Sequence, residues 1–115
     1  MNKSTAPVLQ VKWDSIIVYV YKVILPHLNK SERISLGQDI RKVLWSVNRF
    51  IIEYIETDVE KQRLLLNMFV YSKLLIRMIS VAIRVGAIPR KRLSTVTTLV
   101  SQMIEIIDKL NTASR

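Results

Sequence analysis

Apolar residues recur at helical spacing along almost the whole chain. Leu9, Trp13, Ile16, Ile17, Val20 and Ile24 follow the helical period and predict a first helix over residues 10–25, closed by Pro26. Residues 27–33 are polar and read as a link. Leu36, Ile40, Val43, Val47, Phe50, Ile51 and Tyr54 form the stripe of a second helix over residues 35–56. Ser35 and Gln38 have capping-box spacing at its start, and a start one turn earlier, at Ser31, is also compatible with the pattern. Thr57 and Glu60 repeat that spacing, so a third helix over residues 58–85 follows after a tight turn. Gly86 is placed to cap its end, with Pro89 beyond. A fourth helix, residues 90–110, turns Val96, Leu99, Val100, Met103, Ile107 and Leu110 inward and Thr98, Ser101, Glu105 and Lys109 outward. Residues 111–115 are expected to fray. Short links between helices of similar length predict an all-α, up-down-up-down four-helix bundle, one domain spanning residues 1–115.

Two of these helices carry more than one apolar face. In the third, Leu64, Met68, Tyr71, Leu75, Met78, Ile79 and Ala82 share a core side. Leu65, Ile76 and Ile83 lie to one side of it, and Leu74, Val81 and Val85 to the other. A bundle monomer buries one stripe per helix, so the surplus predicts self-association through the Leu65, Ile76 and Ile83 side. In the second helix, Trp45 and Ile52 project away from the core stripe. Arg41 and Arg49 flank Trp45 on that outer face, with Lys42 beside them. This is a candidate partner or oligomer interface in which an arginine covers the indole.

Charge sharpens the picture. The 115 residues carry a formal net charge of +9, and the stretch from Lys61 to Ile104 contains no Asp or Glu. Lys61, Arg63, Lys73, Arg77, Arg84, Arg90, Lys91 and Arg92 all fall within it. Arg63, Lys73, Arg77 and Arg84 point the same way from the third helix, and Arg90, Lys91 and Arg92 cluster at the start of the fourth, where the helix dipole also favours anions. Together they form a candidate track for a phosphate backbone, one that positions a nucleic acid without reading its sequence.

The residues argue against catalysis and against a metal site. His27, the single histidine, stands beside Pro26 with no acid or nucleophile at a suggestive spacing, which reads as a surface position. Glu53, Glu56, Asp58 and Glu60 surround the turn before the third helix, where they cap it and pair with Lys61 and Arg63. There is no glycine-rich phosphate loop and no metal-loop spacing, so no cofactor is expected. The absence of Cys fits a reducing cytoplasm. The opening M-N-K-S-T-A-P-V-L-Q-V-K-W-D lacks the apolar core of a signal peptide. No uninterrupted apolar run approaches the ~18 residues of a membrane span, so none is expected.

Residues 29–41, reading N-K-S-E-R-I-S-L-G-Q-D-I-R, resemble the P-K-S-E-R-F-x-L-G-Q-R-I entry to the second helix of the Avd family. These are the accessory variability determinants of diversity-generating retroelements. Residues 73–82, K-L-L-I-R-M-I-S-V-A, are similar to that family's L-R-x-x-x-R-L segment, with Lys73 in place of the first arginine. The likeness runs from about Lys22 to Leu110. It departs at the end, where I-I-D-K-L at residues 106–110 replaces the usual Gly-Gly-Trp. The resemblance implies a pentameric barrel of four-helix bundles with a basic surface. It implies binding to a reverse transcriptase and its template RNA in support of mutagenic cDNA synthesis, with Lys73 and Arg77 as the basic pair. A sister group, the four-helix-bundle proteins of ribosomal RNA intervening sequences, has an N-I-A-E-G motif. Against Phe50–Tyr54 only its Ile and Glu match, at Ile51 and Glu53. The competing expectation is an oligomeric protein-interaction scaffold of that type, with no nucleic-acid role.

Overall fold

A computed structural model describes residues 6–113, and the apolar periodicity resolves into four long helices and one short one, with no strand among the described residues. They are α1 (Ala6–Tyr19), α2 (Lys30–Ile34), α3 (Leu36–Glu56), α4 (Lys61–Arg84) and α5 (Leu93–Ala113). Of the long helices, α3 packs on α4, α4 on α5, α5 on α1, and α1 on α3. They close into a four-helix bundle of 44 × 23 × 19 Å. The links place His27, the start of α3, Arg84 and Arg90–Arg92 at one end, and Thr57–Glu60 at the other.

The helix ends differ from the sequence expectation for local reasons. The first helix extends beyond residues 10–25 at its beginning and changes register at its end. Its α part stops at Tyr19, a π-helical turn spans Val20–Ile24, and a 3-10 turn spans Leu25–His27. In the π turn the Leu25 N–H donates to Val20 O. Pro26 has no N–H to continue an α ladder, and its ring would strike the carbonyl one turn back. The wider turn absorbs that conflict and keeps Val20 and Ile24 in the core.

Asn29, not Ser35, makes the capping box. Asn29 Oδ1 accepts from Glu32 N at 2.8 Å, and Glu32 Oε1 accepts from Asn29 N at 2.8 Å. Ser35 marks the break between α2 and α3, and its hydroxyl donates back to Ser31 O at 3.2 Å. Thr57 is likewise not a helix start. It closes α3, its Oγ1 donating to Glu53 O at 2.8 Å. The chain then turns through Glu60, whose φ of 53° is left-handed, and α4 begins at Lys61. Arg90–Arg92 form a 3-10 turn rather than the first turn of the last helix. That helix continues past the expected fraying point to Ala113. Residues 114–115 lie outside the described residues.

One buried cluster draws on all four long helices. Leu9, Trp13 and Ile16 meet Ile40, Leu44, Val47 and Ile51, with Met68, Leu75 and Ile79 of α4 and Val96, Val100 and Met103 of α5. The Trp13 indole is fully buried, and its N–H donates to Leu44 O at 2.8 Å. Leu44 itself lies outside the predicted stripe of α3. Ser72 is a buried polar residue in this core, and its hydroxyl has no hydrogen-bond partner. By length and composition alone α4 would suffice to cross a membrane, although polar residues interrupt its apolar runs. In this fold it packs between α3 and α5.

Gly86 ends α4 as its sequence position indicates. Its φ is 82°, its N–H donates to Ile83 O at 3.0 Å, and the Ala87 N–H donates to Ala82 O at 2.8 Å, the paired bonds of a Schellman cap. An added Cβ would meet nothing within 4 Å, so only the backbone conformation demands glycine here. Gly86→Ala is therefore expected to destabilise the fold by about 1 kcal/mol through left-handed strain, as measured by the urea midpoint.

Candidate nucleic-acid interface

α4 places its cations through its own periodicity. Lys73, Arg77 and Arg84 are exposed and recur on the side of α4 turned away from the core. Among the described residues, none of the three makes an ion pair. Lys73 Nζ lies 5.9 Å from the Phe69 ring centroid, a weak cation–π contact that leaves its charge available. Arg63 differs. It is exposed, but it pairs with Glu60, which sits in the turn ahead of α4. Lys61 is also engaged, donating to Tyr54 O and lying 4.2 Å from the centroid of the Tyr54 ring. At 1.5 Å per residue the line from Arg63 to Arg84 is about 32 Å long.

Beyond Arg84 the basic line continues around the end of the bundle. Arg90 and Lys91 are exposed in the 3-10 turn, and Arg92 is half-buried. Arg92 Nε donates to His27 Nε2 at 3.3 Å, joining this turn to the end of the first helix. His27, a surface position in sequence, thus gains a tertiary contact that nothing in its sequence neighbourhood signals. Lys22, Lys30 and Arg33 belong to the same end, where Glu32 and Asp39 are the carboxylates. Glu53, Glu56, Asp58 and Glu60 occupy the opposite end, and Glu105 and Asp108 lie in the part of α5 that returns to it. Charge is therefore segregated along the long axis, which gives one end and the α4 flank a positive field.

The apolar surplus is real, but it lies on another side of α4. Leu65 is 1% exposed and belongs to the monomer core, so it is not available to a partner. Ile76 and Ile83 are half-buried and pack against that core. The wheel angle misassigns them because α3 and α5 together cover a broader arc of α4 than one stripe. Leu66, Val70, Leu74, Val81 and Val85 are the exposed apolar residues. At 100° per residue Leu66 falls between Lys73 and Arg77, and Val70, Val81, Leu74 and Val85 follow in that order on one side of them, so the outer face of α4 sets an apolar band against the basic line instead of a narrow polar strip alone. The helical spacing of Leu66 and Val70 to Lys73 and Arg77 carries this signal.

On α3, Trp45 and Ile52 are exposed, as are Lys42 and Arg49. Arg41 is half-buried, however, and donates through Nη2 to Arg33 O at 3.3 Å. The Arg49 guanidinium lies 5.9 Å from the Phe50 ring centroid. The expected arginine cover over the indole is thus replaced by a different contact, in which Trp45 Nε1 donates to the Tyr21 hydroxyl at 3.0 Å. The π turn sets the register at which Tyr21 leaves the helix, and the sequence pattern gives no sign of that.

Among the described residues, no three His, Cys, Asp or Glu side chains gather to hold a metal ion. The core assignment on α4 has a direct consequence. Leu65→Ala is expected to cost about 2–5 kcal/mol of stability and Leu66→Ala less than about 1 kcal/mol, as read by chemical denaturation. Compared with family models, with curated proteins and with solved structures, the chain finds no match.

Proposed function

We propose that this chain is a non-enzymatic accessory protein of a diversity-generating retroelement. On this reading it assembles as a homo-oligomer, with five copies as the Avd resemblance implies, and binds a reverse transcriptase and template RNA in the cytoplasm. The observation that carries the reading is the unpaired cation set. Lys73, Arg77 and Arg84 stand exposed on one helix that lacks any carboxylate, and they lead to Arg90 and Lys91 at the positive end of the bundle. A helix whose cations served only solubility would usually intersperse acids for pairing. Unpaired cations in a row release counterions when they meet phosphates, which is the main source of sequence-independent affinity.

The scaffold reading has its own support in the exposed Leu66, Val70, Val81 and Val85, because apolar surface of this kind marks contact with another protein. Both sets of residues lie on the outer face of α4, and in the proposed role that face meets protein and RNA side by side.

The test is RNA binding by the purified chain across a salt series. The logarithm of the affinity is expected to fall linearly with the logarithm of salt concentration. Lys73→Glu with Arg77→Glu should weaken binding and flatten the slope by at least about 0.7 for each phosphate that is no longer neutralised. Because neither side chain has an ion-pair partner in the fold, stability should change by less than about 0.5 kcal/mol per site. Unaltered binding in the double variant would rule out the α4 track. Light scattering on the same preparation is expected to give the mass of an oligomer, and a clean monomer would remove the assembly from the proposal.

A further inference from the structure

Tyr21 and Trp45 are the two exposed aromatic side chains among the described residues, and they are hydrogen-bonded to each other. Exposed aromatic rings are costly to leave in water, and two at one point form a patch rather than an accident of position. The indole N–H of Trp45 is already satisfied by the Tyr21 hydroxyl at 3.0 Å, so its ring is held in place with the indole half exposed. Beside the pair lies a shallow recess of about 320 Å³, lined by Ile17, Val18, Tyr21, Lys22 and Trp45. Its wall is almost entirely apolar apart from Lys22. That volume is roughly ten times the share of one water in the liquid, enough to admit a planar ring.

Cations are the charges nearest the pair on α3, and Asp14 is the carboxylate in the adjoining groove of the first helix. Arg41, Lys42, Trp45, Arg49 and Ile52 fall on one outward strip of α3 at 100° per residue, and the carboxylates on or beside that strip, Glu53 and Glu56, come two to three turns beyond Trp45 at the far end of the helix. Lys22 adds a cation from the first helix. A second copy pairing isologously on this strip would bring these cations against their own equivalents, which is unfavourable. A polyanion that also carries flat apolar rings resolves both features. Phosphates meet the cations, and a base meets the aromatic faces.

We propose that Trp45 and Tyr21 form a stacking platform for an unpaired nucleobase, with Lys22 and Lys42 holding the flanking phosphates. This rests on the nucleic-acid reading above and deepens it, because it specifies single-stranded over duplex RNA. Bases in a duplex are stacked on each other and cannot reach the ring, whereas single strands offer their faces freely. The π turn is part of the device, since it sets the register at which Tyr21 meets Trp45.

The test uses the full chain with oligouridine and with duplex RNA of equal length. Trp13 is fully buried and Trp45 is half exposed, so quenching of tryptophan emission by RNA reports on Trp45. Oligouridine is expected to quench and duplex RNA is not. Trp45→Leu keeps an apolar side chain but removes the stacking face. It should weaken oligouridine binding about tenfold or more while leaving duplex binding and the thermal midpoint near those of the parent. Trp45→Phe should bind oligouridine close to the parent without the quench. Undiminished oligouridine binding by Trp45→Leu would overturn the platform while leaving the α4 track standing. An equal loss on both RNAs, or a change in assembly mass on Trp45→Leu, would also overturn it, the latter by showing that copies meet through this face. If the parent chain binds neither RNA, the nucleic-acid reading fails and the platform falls with it.

Discussion

The burial of Trp13 is the contact on which the arrangement of the bundle depends. α1 joins the rest of the fold through a link that contains a π turn, a 3-10 turn and the short α2, so its neighbours must hold it by side-chain contact. Trp13 supplies the largest fully buried side chain, and its N–H reaches the Leu44 carbonyl of α3 at 2.8 Å. Burying an indole of this size removes enough apolar surface to contribute about 4–6 kcal/mol, an upper bound for the area removed from water. The hydrogen bond offsets the cost of taking the N–H out of solvent and fixes the height of α1 against α3. On the wetter edges, Gln10 to Asn48 at 2.8 Å reinforces that register, and Lys12 to Gln102 at 2.6 Å ties α1 to α5.

Once α1 is set, α4 carries two demands. Its inner side supplies Leu64, Leu65, Met68, Leu75, Ile79 and Ala82 to the core. Its outer side mixes Lys73, Arg77 and Arg84 with exposed Leu66, Val70, Val81 and Val85. Neither demand leaves room for an acidic residue, and the carboxylates instead gather at the turn before it, where Glu60 pairs with Arg63. The resulting positive flank is a product of helical spacing. The positive end is a product of topology, because it brings together residues as distant in sequence as His27 and Arg92.

Much of the fold is legible in the sequence because helices announce themselves through periodicity. The four long helices, the glycine cap at Gly86 and most of the buried positions follow from spacing and local chemistry. The caps are harder to read. Ser35 and Thr57 have the right spacing for capping boxes, but a capping box forms at Asn29 instead, and α4 begins after the left-handed Glu60 with no side-chain cap. Spacing identifies which side chains are able to cap, whereas the path of the chain decides which ones do. The assignment of Leu65, Ile76 and Ile83 to a partner face fails for a related reason. A wheel gives the angle of a residue but not the width of the arc its neighbours cover.

The sequence by itself determined that this protein is helical, that α4 presents an acid-free basic line, and that there is more apolar surface than one stripe per helix can bury. Those properties depend on residue type and on a fixed repeat, and both are local. Only the tertiary structure decided that Leu65 is core and Leu66 is surface, that His27 and Arg92 from two distant turns meet at one end, and that Trp45 meets Tyr21 rather than an arginine. Each of those outcomes turns on where a second helix lies, and the π turn before Pro26 shifts that position by an amount that no repeat in the sequence encodes.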